Sequence, residues 1–446
     1  MKTNDMLHGS AGKSLFLFAL PMIIGNLFQQ FYTMVDAVIV GRFVGEDALA
    51  AVGASYALTT VFISIAIGGG VGASVLTSQY LGGKDFTKMK TSIFTALFTF
   101  LGISIILGLG GFFLSSSIME WLNTPDNIIE QASVFLRIYF IGLPFLFMYN
   151  VLSSVFNSLG KSDIPLYLLI FSSILNVILD LIMVCVFHLG VAGVAWATLI
   201  AQGISAVMSF NILMNHLKIY TANGNFRKYD TLALGKIFKI ALPSILQQSI
   251  VSIGMMLVQS VVNGFGSEVL AGYSSAMRIE SIVVVPLAAM GNAVSTFTAQ
   301  NIGAGRKERV KKGYHAGYLI VAMFAIAICF ILELFHTPII SAFLNKESST
   351  LALQTGTAYL KFMGFFFVMI GLKMITDGLL RGAGDMKVFT ISNLVNLSIR
   401  VFVAFKFAPI WGVAAVWYAV PMGWTANYLL SFSRYLTGKW KNIKLR

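Results

Sequence analysis

Apolar residues run in long blocks along this chain, separated by short polar stretches. Twelve such blocks stand out, at about 15–40, 48–76, 91–117, 128–156, 164–187 and 191–215, and, after a polar stretch at 218–236, at about 237–262, 270–299, 314–334, 351–378, 388–407 and 411–433. Each matches the roughly 20 residues that a helix needs to cross the hydrocarbon of a bilayer. A segment in lipid has to satisfy its own backbone donors and acceptors, so these blocks are expected to be helices. The pattern predicts an all-α polytopic membrane protein with twelve transmembrane helices in two pseudo-symmetric six-helix bundles. The bundles are expected at 1–217 and 237–446, joined by a cytoplasmic linker at 218–236.

The two halves repeat one another. Ala19-Leu20-Pro21 recurs as Ala241-Leu242-Pro243, and GEDALA at 45–50 recurs as GSEVLA at 266–271. The segment 70–82 aligns without a gap to 291–303, where Gly70, Ser74, Thr77, Gln79 and Gly82 face identical residues. Near the ends of the halves Gly190-Val191-Ala192 recurs as Gly412-Val413-Ala414. An even number of spans per half makes this a parallel repeat about an axis along the membrane normal, an arrangement found in transporters.

Charge gives the orientation. With the first residue inside, cytoplasmic segments hold about 22 Lys and Arg, including Lys84, Lys88 and Lys90, the run Arg306 to Lys312, and the tail 434–446. The external loops hold about three, Arg42, Lys346 and Lys406, beside acids such as Glu46, Asp47, Glu120 and Glu268. This is a strong positive-inside bias, and a missed span would have scrambled it.

Composition agrees. Of 446 residues 57% are hydrophobic and 11% charged, too few charges to cover a water-soluble protein of this length. The net charge of +13 does not indicate nucleic acid, because the basic residues are spread over short loops and form no basic domain. Cys185 and Cys329 lie in separate apolar blocks and are expected to be small buried side chains without a disulfide. No cleavable signal peptide is expected, since residues 1–13 are polar and the apolar block after them is of full span length. GSAGKS at 9–14 has two residues between its glycines where a phosphate loop needs four, and no strand precedes it. The five histidines are scattered, so no metal cluster, catalytic triad or ATP-driven pump is expected.

Ionisable residues at bilayer depth cost several kcal/mol each and need a reason. Asp36 ends a polar stripe of span 1, with Asn26, Gln29 or Gln30, and Thr33 at helical steps of three and four. That face is expected to look into water. Asn176 and Asp180 stack one turn apart in span 5, and Thr198 in span 6 and Asn150 in span 4 offer further oxygens. Two carboxylates in one half can bind a proton or a small cation, and oxygen ligands suit Na⁺ equally. The repeat acts as a control: Asp36 aligns with Val258, and Asp180 with Phe402 or Ala404, so the acids are not part of the shared scaffold. In the second half Asp377 and Arg381 are four apart and read as an ion pair, or as groups that attract substrate. Arg278 and Glu280, two apart, are expected to have separate partners. Lys361, Lys373, Arg400 and Glu333 lie within spans or near their ends, where snorkelling covers most such cases.

The whole chain resembles the multidrug and toxic compound extrusion (MATE) family, most nearly its bacterial DinF-like and MepA-like branches. The resemblance is carried by Ala19-Leu20-Pro21, by Asp36 within YTMVD at 32–36, by QYLG at 79–82, by Asn176-x-x-x-Asp180 followed by VAGVA at 191–195, and by Arg381-Gly382-Ala383-Gly384-Asp385. It implies a V-shaped pair of bundles and antiport of cationic, lipophilic drugs against H⁺ or Na⁺, with no other cofactor. The cation site then falls on Asp36, Asn176, Asp180 and Thr198, with Asn150 as a fifth position. In the first half the substrate cavity would be lined by Gln29, Gln30 and Thr33. In the second half it would be lined by Gln247, Gln248, Met255, Gln259 and Asp377. Span 7 has no acid, unlike another branch of the family. The expected partners are small organic cations and the lipid bilayer of a bacterial inner membrane, with both termini cytoplasmic and the chain a monomer. The alternative is the same scaffold flipping a lipid-linked or amphipathic metabolite. That role would want a cationic cavity for phosphate, which Asp36 and Asp180 oppose. A membrane enzyme or receptor is opposed by the lack of a catalytic constellation.

Overall fold

The computed structural model describes residues 6–221, 226–344 and 350–443. Lys346 and the last residues of the basic tail lie outside them. Helices account for nearly all of the described chain, and it has no strands. The first half holds α1 (Ala11–Ile39), α2 (Glu46–Gly82), α3 (Phe86–Trp121), α4 (Ile129–Ser158), α5 (Asp163–Leu181) and α6 (Gly190–Leu217). The second holds α7 (Thr231–Asn263), α8 (Ser267–Gly303), α9 (Lys307–Phe343), α10 (Thr350–Gly364), α11 (Phe367–Ala383), α12 (Met386–Trp411) and α13 (Ala414–Leu436).

Ten of these helices are long and apolar enough to cross a membrane unaided. The block at 351–378 reads as one span in the sequence. It is instead a bent pair, α10 and α11, meeting at 55°. α13 has 23 residues, enough for about 34 Å of rise, and is less apolar because Asn427, Ser431 and Ser433 interrupt it. Counting the bent pair once, the chain makes twelve passes, and the protein is a multi-pass membrane protein. α7 begins at Thr231, so the linker is shorter than the expected 218–236.

The chain forms two compact units. One is Ile24–Ile245. The other joins Met1–Ile23 to Leu246–Arg446. Their limits therefore differ from the sequence halves: α1 and α7 each start in one unit and end in the other.

Small residues let the helices approach. In one unit a Cβ at Gly70 would sit 3.2 Å from the Asn150 carbonyl oxygen, where α2 passes α4. In the other, a Cβ at the aligned Gly291 would sit 2.8 Å from the Met374 carbonyl, where α8 passes α11. The repeat thus preserves a close backbone crossing, the usual means of tight packing where lipid supplies no hydrophobic drive between helices. Along the same crossing, Cβ atoms at Gly378 and Gly382 would each lie 2.2 Å from a carbonyl oxygen of α8.

Local chemistry ends the helices where the sequence changes. The Asp85 side chain accepts from the Lys88 N–H at 3.1 Å and caps α3. Gly384 adopts φ 83° after α11, and the Asp385 N–H returns to the Leu380 carbonyl at 2.8 Å. That left-handed closure explains a glycine in RGAGD. Two helices end differently. α1 runs into a π-helical turn, Val40–Val44, and α5 into another, Ile182–Val186. Such wide turns often accompany functional sites. Residues from both pack into one apolar cluster, with Val40 and Val184 against Ala48, Val191 and Val194.

Candidate functional site

Each wide turn follows closely behind a carboxylate. Tyr32 and Asp36 lie one turn apart on α1, and Asn176 and Asp180 one turn apart on α5, so each pair shares a helix face. The two faces meet within the Ile24–Ile245 unit. The Asp36 and Asp180 side chains lie side by side, close enough to act on each other. The Asn176 amide is satisfied with its NH₂ toward Asp180 Oδ2 at 3.1 Å and toward the Tyr32 hydroxyl. Its oxygen then accepts from the Thr198 N–H at 3.0 Å and the Thr198 hydroxyl at 3.3 Å, which brings in α6. Asp180 is wholly buried, Asn176 nearly so, and Asp36 partly. A small cavity of about 30 Å³ lies against Thr198, lined also by Tyr139 and Gln202. It has room for a water molecule.

Asp36 Oδ1 and Asp180 Oδ1 are buried and have no hydrogen-bond partner. No lysine, arginine or histidine among the described residues forms an ion pair with either acid. Two bare carboxylates in contact repel strongly at low dielectric. A proton shared between them, or a small cation, removes that repulsion.

The remaining expected residues divide. Asn150 is not drawn into the cluster; its amide donates to the Leu146 carbonyl of its own helix at 2.8 Å. Asn26, Gln29 and Thr33 are exposed, Gln30 is half-buried, and the Thr33 hydroxyl donates to the Gln29 carbonyl at 2.8 Å. Asp36 thus lies at the edge of the stripe, turned with Tyr32 toward α5. In the other unit Gln247 and Gln248 are half-buried, Met255 is exposed, and the Gln259 amide donates to Asn263 at 3.2 Å. Cys329 is half-buried and Cys185 exposed, so Cys185 is not the buried side chain expected; both are free thiols.

Asp377 does not pair with Arg381. Its partner is Lys373, one turn earlier, at 2.9 Å. Arg381 instead donates to Asn292 Oδ1 at 2.6 Å and the Ser295 hydroxyl at 3.3 Å. Nor does Lys373 snorkel, since both it and Asp377 are buried. Asp377 therefore sits inside its own unit and does not line an open surface. Glu280 is buried and accepts from the Tyr359 hydroxyl, whereas Arg278 is exposed, in line with separate partners. Tyr32 was not assigned a role from sequence. Its place four residues before Asp36 was the available signal.

Comparison with known proteins gives this arrangement a family. The MatE family model matches residues 21–182 and 243–405, one segment in each half. The chain is 31% identical over 446 residues to the probable multidrug resistance protein YpnP of Bacillus subtilis, covering all of this chain and 99% of the relative. It is 22% identical over 408 residues to the multidrug export protein MepA of Staphylococcus saprophyticus, covering 91% and 89%. Among solved structures, a MATE protein in complex with MaL6 superposes with a TM-score of 0.92 at 24% identity, over 99% of this chain and 100% of that one. A MOP superfamily transporter from Pyrococcus furiosus superposes with 0.89 at 24% identity, over 98% and 97%. At that identity the structures establish the fold. The matched segments, the full-length relative and the twelve-pass architecture together place this chain in the MATE family of membrane transporters.

Proposed function

We propose that the protein is a secondary active multidrug efflux transporter that exchanges cationic, lipophilic compounds for an ion at Asp36 and Asp180. One observation carries this reading: two carboxyl side chains side by side, each with a buried oxygen, and no ion-pair partner for either among the described residues. The names of the relatives, a multidrug resistance protein and a multidrug export protein, support export and varied drugs as cargo, and the two acids favour a cationic one.

Two carboxyl groups side by side can share a proton, which favours H⁺ over Na⁺. An amide NH₂ turned toward Asp180 also takes the place of an oxygen ligand. In the proposed cycle, substrate enters while the pair carries negative charge. A proton from outside then neutralises the pair, and the neutral pair no longer attracts a cationic cargo. The ion can drive the exchange only by binding the two conformations unequally. The exposed polar face at Gln29 and Thr33, on the same helix as Asp36, is the surface proposed to meet the cargo. The membrane is proposed to be a bacterial cytoplasmic membrane with both termini inside, on the strength of the charge asymmetry.

The test is efflux of a fluorescent organic cation from proteoliposomes under an imposed pH or Na⁺ gradient. Asp36→Asn is expected to lower gradient-driven efflux at least tenfold while the purified variant stays monodisperse. Gradient-driven efflux at the wild-type rate would sink the assignment. A dependence on Na⁺ alone would transfer the site from H⁺ to Na⁺.

A further inference from the structure

Asp377 is held in the opposite way to Asp36 and Asp180. In the Ile24–Ile245 unit, Asp36 and Asp180 have no ion-pair partner among the described residues, and each keeps an unpartnered oxygen. In the other unit, both oxygens of Asp377 are engaged. Oδ2 accepts from the Lys373 ammonium at 2.9 Å and from the Asn393 amide at 3.3 Å. Oδ1 accepts from the Ser431 hydroxyl at 2.9 Å. The Lys373 ammonium also donates to Asn393 Oδ1 at 3.2 Å. Lys373 is 7% and Asp377 6% exposed.

The ammonium nitrogen is therefore held by a carboxylate oxygen and an amide oxygen, in a cluster that also contains a serine hydroxyl. Carboxylate, carbonyl and hydroxyl oxygens are the donors that a hard metal cation takes from a protein. Helix geometry delivers the charge. Lys373 and Asp377 are one turn apart on α11, and the flexible four-carbon stem spans that turn. The remaining neighbours are neutral: Ser392 and Asn393 on α12, Asn427 and Ser431 on α13, and Thr376 beside Tyr314 and Tyr318 of α9. The further charge near Asp377 is Arg381, again positive.

We propose that Lys373 is a tethered cation that permanently occupies the ion position at Asp377, so that Asp377 takes up no coupling ion. Asp377 then adds nothing to the coupling at the Asp36–Asp180 pair, and in that respect the proposal depends on the function proposed above. A mobile ion at Asp377 would compete with a covalently held ammonium that is always present, one turn away on the same helix. Losing one partner of such a pair strands a buried charge, whereas replacing both by neutral groups of like shape removes the electrostatic demand.

The experiment measures the ion-to-substrate ratio in proteoliposomes, from the gradient that just halts net flux of a fluorescent cation. It compares full-length wild type, Lys373→Met/Asp377→Asn and Asp36→Asn. The double variant is expected to keep the wild-type ratio, whatever its turnover. A ratio lower by one ion overturns the proposal. Should the double variant not transport, protons released or ²²Na⁺ displaced when substrate saturates the purified protein are counted instead. The same count as wild type supports the proposal, and one fewer overturns it. Asp36→Asn reports separately: an unchanged ratio there sinks the Asp36–Asp180 reading, while the double variant still decides the role of Lys373.

Discussion

Tyr32 shows how a single side chain shapes the candidate ion site. Its phenol contacts the Asn176 amide, whose NH₂ also faces Asp180 at 3.1 Å. Tyr32→Phe removes one hydrogen bond worth about 1 kcal/mol and leaves a buried amide group short of a partner. The expected result is a three- to tenfold change in apparent ion affinity with the substrate range unchanged, read from the pH dependence of efflux. Asp36, Asn176, Asp180 and Thr198 could all be named from sequence, because polar groups deep in apolar blocks are rare and their helical spacing predicts a shared face. Tyr32 and Lys373 could not be assigned in the same way. A tyrosine in a membrane helix has many ordinary uses, and whether a lysine snorkels or turns inward depends on partners from other helices. The Asp377–Lys373 pair rests on Asn393 and Ser431, which are 16 and 54 residues from Asp377 along the chain.

Among the helices, the crossing of α8 and α11 is a stringent test of packing. A Cβ at Gly378 would lie 2.2 Å from the Gly291 carbonyl oxygen, and backbone cannot step aside as a flexible side chain does. Gly378→Ala is expected to cost about 1–3 kcal/mol through overpacking. The measurement is thermal unfolding in detergent, where a clear drop in midpoint should accompany reduced yield. Gly235→Ala, with no atom within 4 Å of its Cβ, should leave the midpoint unchanged or raise it slightly. The spans were legible from hydropathy because lipid demands unbroken apolar length. The 55° bend between α10 and α11 was not legible, since the block from 351 to 378 contains no proline to mark it. The wide turns were hidden for a similar reason: an extra residue in a helical turn leaves the apolar run intact.

Across the whole molecule, the charge bias predicts a topology that accessibility can check. With Cys185 and Cys329 replaced by alanine, a single cysteine at Lys84 is expected to react with an impermeant thiol reagent only in inverted vesicles. One at Glu268 should react only in intact cells. Reversal of either pattern would overturn the orientation. The internal repeat gave the twelve-pass architecture from sequence, yet the compact units begin at Ile24 and Leu246, inside α1 and α7. Sequence symmetry marks where the chain was duplicated, while compactness follows which side chains touch. The two need not coincide when a long helix serves both units.

The wide turns at Val40–Val44 and Ile182–Val186 have a dynamic consequence. Each is a helix carrying one surplus residue, the protein equivalent of a dislocation in a crystal. A dislocation can glide: if the surplus moved N-terminally along α1 past Asp36, every side chain it passed would swivel by about 100° around the axis. Asp36 would then leave Asp180 without any helix unfolding. Deleting one residue from Val40–Val44 would remove the defect and pin the register. Such a variant is expected to take up its proton and then stall, which stopped-flow pH recording beside steady efflux would reveal as a single burst without turnover.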